Sequence, residues 1–528
     1  MGSGRKHQSA SRMPIVYSGC VLLVFVLNMY YFGYAGSASP RLKHHVGEAP
    51  SVELAATTTT SQCWFDGPTG QRVPTEDLEH LSLLHSACME ESDDIITWYY
   101  GSPVKGPYPT RLKRDDPRVL DELRRCPDID IFLPNGLRGA GYCEDGGAYT
   151  KYGHSRLLPQ WVLDEEFFDA QRNRKVTYHD LCPRTPIIFF NHYWPSQPWP
   201  KHKPMYLMPN IEMGQLKAPD YWSADVIICK SRDCHHRVTK WLEQEGNPRG
   251  TAVFYTRHTT ADIAGHIARK LGPGAVKPKD YGKNIRFTHT AGGSVSKGTD
   301  QVIECWLSRP DLPPLDLFMS PGLYNLGFGD KFGAQIAAAS NMNFHHTGLD
   351  EVSFGKLMAE AGFFLCASTW EGYGHYINQA RAAGGVIITT NGPPMNELIV
   401  PPVSGVYVET TARFHPHQIL GGEFDGEHGL RDVTGLKADH TKEALCDAVD
   451  YVLSLSEADR KALAHGAEQA YHDDTKFFAS AMRDLRAFAR AHLHSSQTAA
   501  EVAASNTWRE VAADQFPCVG SNNNNNKN

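Results

Sequence analysis

From Asp128 onward the chain alternates short apolar runs with polar or amphipathic stretches, and it does so twice. Residues 129–133, 186–190, 226–229 and 252–255 read as strands of a first series. A Gly/Pro/Lys-rich segment, LGPGAVKPKDYGKN, then interrupts, and residues 285–288, 363–366, 386–390 and 405–408 read as a second series. Brief, nearly continuous apolar runs separated by helical patterns suit parallel sheets covered by helices on both faces. The pattern predicts an α/β fold of two doubly wound, Rossmann-like domains, 121–262 and 283–475, facing a cleft onto which the carboxyl ends of the strands open. With 528 residues, 41% of them hydrophobic, the chain can fill two such cores and carry extensions.

Helical spacing supports the frame. Phe354, Leu357, Met358 and Ala361 recur at i, i+3, i+4 and i+7 and lead into the strand at 363. Phe478, Met482, Leu485 and Phe488 give a C-terminal helix, 476–494, with an apolar face to bury. Outside the domains, 37–120 is rich in Pro, Thr, Ser and charge and reads as a stem, and 495–528 as a tail without a period that fixes a fold.

No charged residue occurs between Arg12 and Arg41, and residues 15–36 are long enough to cross a bilayer as a helix. Small residues at Ala35-Gly36-Ser37-Ala38 also suit a cleaved signal peptide. The apolar stretch exceeds the usual signal core and carries aromatic residues at its outer end, which favours an uncleaved signal-anchor. Arg5, Lys6 and Arg12 before it, against Arg41 and Lys43 after it, put residues 1–14 on the cytoplasmic side by a narrow margin. The expectation is a single-pass type II protein of the Golgi or ER membrane, its large domains lumenal.

A formal charge of −7 and the absence of a long basic run argue against nucleic acid as a partner. The 12 cysteines form no zinc pattern and suit either free thiols or a few lumenal disulfides. Cys229-x4-Cys234-His235-His236 has metal-ligand residue types, but Cys229 ends an apolar run, where cysteines are ordinarily core residues.

The stretch most informative about chemistry is FFLCASTWEGYGHYINQARAAGGVIITTNGPPMNEL, 363–398. A buried strand enters a loop, Glu371-Gly372-Tyr373-Gly374, and a helix starts near His375. The free N–H groups and positive dipole end of such a helix suit a diphosphate, and the two glycines let the backbone approach it.

This stretch, C-x-S-x-x-E-G-Y-G-H followed by a helix and G-x-V-I-x-T-T-x-x-P-P-M-N-E, resembles the group-1 retaining GT-B glycosyltransferases. In that family a Glu contacts donor-sugar hydroxyls and a second Glu, eight positions on, holds the ribose. The resemblance gives Glu371 the first role and puts Gln379 in the second place, where an amide offers no charged acceptor. Gly372, Tyr373, Gly374 and His375 then fall to the donor. A further family element is a strand followed by Lys-Gly, matched by Lys297-Gly298; Lys297 would face the donor phosphates as a point charge. Where relatives commonly carry an Arg about five residues earlier, this chain has Gly292. TPIIFFNHYW resembles the family's P-V-V-x-x-x-H segment and puts His192 at a strand end near the transferred sugar. The loop Pro134–Gly141 (PNGLRGAG), with Gly146-Gly147 after it, either lies against donor or acceptor or is a long connection.

The resemblance implies transfer of a sugar from a UDP- or GDP-sugar to a glycan, protein or lipid acceptor, with retention and without metal or cofactor. Lys297 and helix-end amides would stabilise the departing diphosphate, with His192 and Glu371 beside the sugar. Gln379 and the missing Arg also suit a non-catalytic protein that keeps the shell, or a glycan-binding partner of an active transferase.

Overall fold

The computed structural model describes residues 71–90, 93–101, 111–194, 198–213, 217–412, 427–433, 437–495 and 497–505, all within one compact unit, Gln62–Asn528. The expected cytoplasmic tail and membrane segment, the first part of the stem and the end of the tail lie outside the described residues. Among the described residues no helix is long and apolar enough to cross a membrane.

The first sheet contains β1 (Ile95–Thr97), β2 (Arg111–Leu112), β3 (Asp130–Phe132) and β4 (Arg156–Leu158). A separate hairpin of β5 (Glu166–Asp169) and β6 (Arg174–Thr177) follows, and the sheet resumes with β7 (Ile187–Phe190), β8 (Met205–Met208), β9 (Val226–Cys229) and β10 (Ala252–Tyr255). Their order is β10-β9-β8-β7-β3-β4-β1-β2, parallel from β10 to β4 and antiparallel at the β1–β2 edge. The second sheet contains β11 (Phe287–Gly292), β12 (Leu315–Met319), β13 (Met342–His346), β14 (Phe363–Cys366), β15 (Val386–Thr390) and β16 (Val406–Val408). Its order is β13-β12-β11-β14-β15-β16, and every pair is parallel. The central strands IIFF, VIIC and FFLC are buried at every residue, as strands covered on both faces must be. The result is a GT-B-like architecture.

Each sheet winds outward in two directions from one strand. In the first, the chain goes from β3 to β4 on one side and β7 on the other; in the second, from β11 to β12 on one side and β14 on the other. The crevices outside the carboxyl ends of β3/β7 and β11/β14 are therefore the switch points where open α/β sheets take ligands.

Three boundaries differ from the sequence expectation. The stem ends well before 120. Helix Thr75–Glu90 buries Leu81, Leu84, Ala87 and Cys88 in the first core, and β1 and β2 extend the first sheet. That helix packs on helix Ala140–Tyr152, with a Cys88–Cys143 disulfide between them. Gly147 lies in this contact, where a Cβ would come within 3.4 Å of the His85 amide nitrogen, so the Gly146-Gly147 pair belongs to helix packing and not to a loop.

Secondly, the C-terminal helix begins far earlier and runs unbroken over Glu457–Leu493, 37 residues. Leu463 and Ala464 lie in the second core, whereas Phe478, Met482, Leu485 and Phe488 are wholly buried in the first. Between those ends the helix is bonded to the segment after β10. Thr259 and Thr475 hydroxyls are 2.6 Å apart, Tyr471 donates to the Thr260 carbonyl at 2.8 Å, and Arg257 pairs with Asp474. Thirdly, helix Ala499–Ser505 buries Ala499 and Val502 in the first core and is part of the packed unit, not of the tail.

Disulfides Cys126–Cys182 and Cys305–Cys446 join Cys88–Cys143. Cys229 and Cys234 are free and buried, as expected of core cysteines.

Candidate functional site

The second sheet's switch point is built by two adjacent loops. After β11, Ser294 caps a short turn, Val295–Lys297, by accepting from the Ser296 N–H. Gly298 follows at φ 65°, the left-handed region, and starts helix Thr299–Ser308. A Cβ there would collide with the Ala367 carbonyl, so glycine is required on both counts. After β14, the Thr369 N–H donates to the Ser296 carbonyl at 2.7 Å, tying the two loops together.

This registry sets Lys297 against Glu371. Lys297 Nζ pairs with Glu371 Oε1, and their side chains are only 16% and 14% exposed. Ser368 Oγ donates to the same carboxylate oxygen at 2.6 Å and lies 2.6 Å from the Tyr376 hydroxyl. The Lys297 ammonium also stands 4.0 Å from the Tyr376 ring centroid. Burial holds the Tyr376 phenol well above its ordinary value, so it stays a neutral hydrogen-bonding group.

The loop beyond Glu371 faces the first domain. A Cβ at Gly372 would collide with Glu212 Oε2, and the Tyr373 hydroxyl donates to the His258 carbonyl at 2.9 Å. Gly374, at φ 101°, precedes helix His375–Ala382. His375 Nε2 lies 3.2 Å from Asp145 Oδ1. Asp145 gathers two further groups: Lys230 Nζ at 2.9 and 3.0 Å from its two oxygens, and His258 Nε2 at 3.0 Å. Lys230 also donates to Asn210 Oδ1 at 2.6 Å. Burial pushes the Asp145 carboxyl up, but Lys230 and His375 outweigh it and hold the group well below the usual carboxylate range. Burial lowers His258 to about 3, so its ring is neutral near pH 7. Asp145, His258 and His375 have ligand atoms within 4.8 Å of one another, a spacing open to a metal ion. The Lys230 ammonium, however, already engages both carboxylate oxygens as a fixed cation.

Gln379 extends the same contact. Its Nε2 donates to Glu144 Oε1 at 2.6 Å, and Glu144 Oε2 accepts the Ala261 N–H at 2.7 Å. The amide expected beside a ribose thus has its nitrogen on a first-domain carboxylate.

His192 stands at the first sheet's switch point, after β7. Asn191, at φ 68°, turns the chain there and donates to the Tyr142 hydroxyl at 2.7 Å. The His192 ring packs on Trp194 with centroids 3.8 Å apart, and its Nδ1 is 3.1 Å from the Tyr193 carbonyl. Its ring touches Tyr193 and Trp194 of its own loop, whereas Lys297, Gly298 and Glu371 form one cluster and Gly372 to Gln379 form the seam with the first domain. His289 is buried between the Leu365 carbonyl and the Thr299 hydroxyl and serves the framework.

Sequence reasoning missed Glu144, Asp145, Glu212, Lys230, His258 and Glu397. Lys230 directly follows the apolar run of β9, a strand-end position that could have drawn notice. Glu397 accepts the Arg232 and Asp233 N–H groups at 2.8 and 2.9 Å, across the seam at the start of helix Arg232–Glu245. Lys230, Arg257, His258, Tyr373, Glu397 and Asp474 line a small cavity there.

No protein-family model matches the chain, and no curated protein matches it. Among solved structures it is similar to trehalose 6-phosphate synthase from Burkholderia multivorans, 10% identical over 60% of this chain and 73% of that one, TM-score 0.42. Sucrose-phosphate synthase from Thermosynechococcus elongatus is 13% identical over 63% and 82%, TM-score 0.40. A glycosyltransferase from Rickettsia africae is 13% identical over 56% and 73%, TM-score 0.38. These likenesses are loose, and the two-sheet architecture stands on the strand orders themselves.

Proposed function

We propose that the chain is a glycosyltransferase that moves a sugar from a nucleotide diphosphate donor to a glycan, protein or lipid acceptor, with retention of configuration. The observation that carries this reading is the Lys297–Glu371 pair at the second sheet's switch point, with helices starting at Gly298 and Gly374 beside it. A diphosphate competes for the Lys297 ammonium and for the free amides of those helix starts. Glu371, released from the lysine, then accepts hydrogen bonds from sugar hydroxyls. As the bond to the sugar breaks, charge grows on the diphosphate, and the lysine and amides stabilise it. The acceptor hydroxyl enters on the face the diphosphate leaves.

Anchorage by residues 15–36 in the Golgi or ER membrane, with a lumenal catalytic part, belongs to the same proposal. Three disulfides support it, since such bonds persist in oxidising compartments. Gln379, bonded to Glu144, favours as second reading a protein that keeps the shell without turnover. Incubation of the purified chain with a panel of UDP- and GDP-sugars, reading released nucleotide, tests both. Release with at least one donor, slowed at least tenfold by Glu371→Ala, is the expected result. Nucleotide binding without release under every acceptor tried leaves the second reading standing instead.

A further inference from the structure

Glu212 is a carboxylate that the proposed chemistry has not used. It sits in the turn after β8, where the Met213 N–H donates to the Asn210 carbonyl at 2.9 Å and the Asn210 N–H donates to Asn191 Oδ1 at 2.8 Å. That turn is thereby fastened to the loop at the first sheet's switch point. Its Oε2 lies against the α-carbon of Gly372, next to Glu371, is closed off from solvent and has no hydrogen-bond partner among the described residues. A buried carboxylate oxygen left without a partner costs free energy that a purely structural residue has no reason to carry.

The surroundings set its proton affinity. Burial raises the Glu212 carboxyl to about 7; Lys230 opposes the rise, and Glu371 and Asp145 add to it. Tyr142 and Tyr221 are the other titratable groups that feel its charge, and burial holds both phenols neutral. A group poised near neutrality, where the first domain meets the loop that carries Glu371, has the proton affinity a general base needs.

We propose that Glu212 is the acceptor-side base of this site, and the proposal rests on the glycosyl-transfer reading above. Its carboxylate takes the proton of the acceptor hydroxyl as that oxygen bonds to the anomeric carbon and the carbon–oxygen bond to the diphosphate breaks. The bonding pair leaves with the diphosphate, and the proton passes from Glu212 to water when product departs. Because Gly372 lacks a side chain, nothing stands between this carboxylate and the loop that would hold the sugar.

The test compares wild type with Glu212→Gln, which keeps the shape and removes the base, using the full chain and the donor found active in the nucleotide-release panel. Expected are a fall in kcat of about 100-fold, nucleotide affinity within about twofold of wild type, and loss of the acid limb of the kcat–pH profile near pH 7. Glu212→Asp should recover part of the rate, and wild-type thermal stability of both variants would exclude misfolding as the cause. An unaltered rate and pH profile in Glu212→Gln, or a loss confined to nucleotide affinity, overturns the base while leaving glycosyl transfer intact. Absence of turnover in wild type with every donor overturns the activity itself, and the base with it.

Discussion

Gln379 Nε2 donates to Glu144 Oε1 at 2.6 Å, joining the helix after the Glu371 loop to a helix of the first domain. This contact gives a physical reason for the amide where the resembled family carries a second Glu. A carboxylate at 379 would face the Glu144 carboxylate at hydrogen-bonding distance, in a contact where Glu144 is almost wholly buried. Two like charges there repel, and one must take up a proton or turn away. Gln379→Glu should therefore lower stability by about 1–3 kcal/mol, read by thermal denaturation. The double variant Gln379→Glu/Glu144→Gln reverses donor and acceptor and should recover most of the loss. Equal destabilisation by the single and double variants would rule out the charge argument.

Glu371→Ala removes the partner of both Lys297 and Ser368. Losing a charged hydrogen bond in a largely desolvated site costs about 1.5–3 kcal/mol, at least tenfold in rate. Lys297→Ala should weaken nucleotide affinity about tenfold, measured by calorimetry. Unchanged nucleotide affinity in both variants would place the donor elsewhere.

Gly298→Ala brings a methyl group onto the Ala367 carbonyl at a φ of 65°. The loop carrying Lys297 must shift to relieve it, at a conformational cost of about 1–2 kcal/mol before the collision is counted. Nucleotide affinity should fall even though Lys297 is intact. Gly292→Ala, at φ 56° but in open space, should cost stability alone.

His258 gives the fold a pH dependence whose sign is fixed by its environment. Burial depresses the ring's pKa to about 3, from 6.5 in an unfolded chain. Its stabilising contribution is present above pH 6.5 and is lost as pH falls from there toward 3, because the unfolded chain takes the proton first. Between pH 7 and 5 the loss from this residue should be about 2 kcal/mol. His258→Asn should flatten that part of the denaturation profile. Glu397, raised by burial to about 7, works with the opposite sign: its contribution is present below its ordinary value and is lost as pH rises through 7. A His258→Asn profile that changes between pH 7 and 5 as the wild-type profile does would contradict the assignment for His258.

Much of the architecture was legible because the central strands need nothing but apolar residues. β9, β10, β14 and β15 have the bounds that their apolar runs indicate. Strands that do not sit between two full layers were not legible. β12, LDLFM, alternates buried and half-buried residues; β13, MNFHH, is a sheet edge; β4 opens with Arg156, whose charge is hidden by pairing with Asp130. The Thr75–Glu90 helix was masked by the polar residues around its leucines. The site divides in the same way. Lys297 and Glu371 follow strands in a recognisable order, whereas Asp145 and Lys230 meet across 85 positions and Glu212 meets Gly372 from the other sheet. No local spacing encodes such meetings.

The Glu457–Leu493 helix has a mechanical consequence. At about 1.5 Å per residue it is a rod of about 55 Å, one end embedded in each core and its middle fastened to the chain after β10 at Thr259 and Thr260. Two bodies skewered on one stiff rod cannot separate by sliding apart without tearing an end free. Any parting of the Lys297–Glu371 loops from the β3/β7 crevice has to be a rotation pivoting near Thr475, small there and largest at the strand ends farthest from the rod. Opening is then the swing of a jaw, and the stiffness of the buried hydroxyl contact between Thr259 and Thr475 governs how wide it goes.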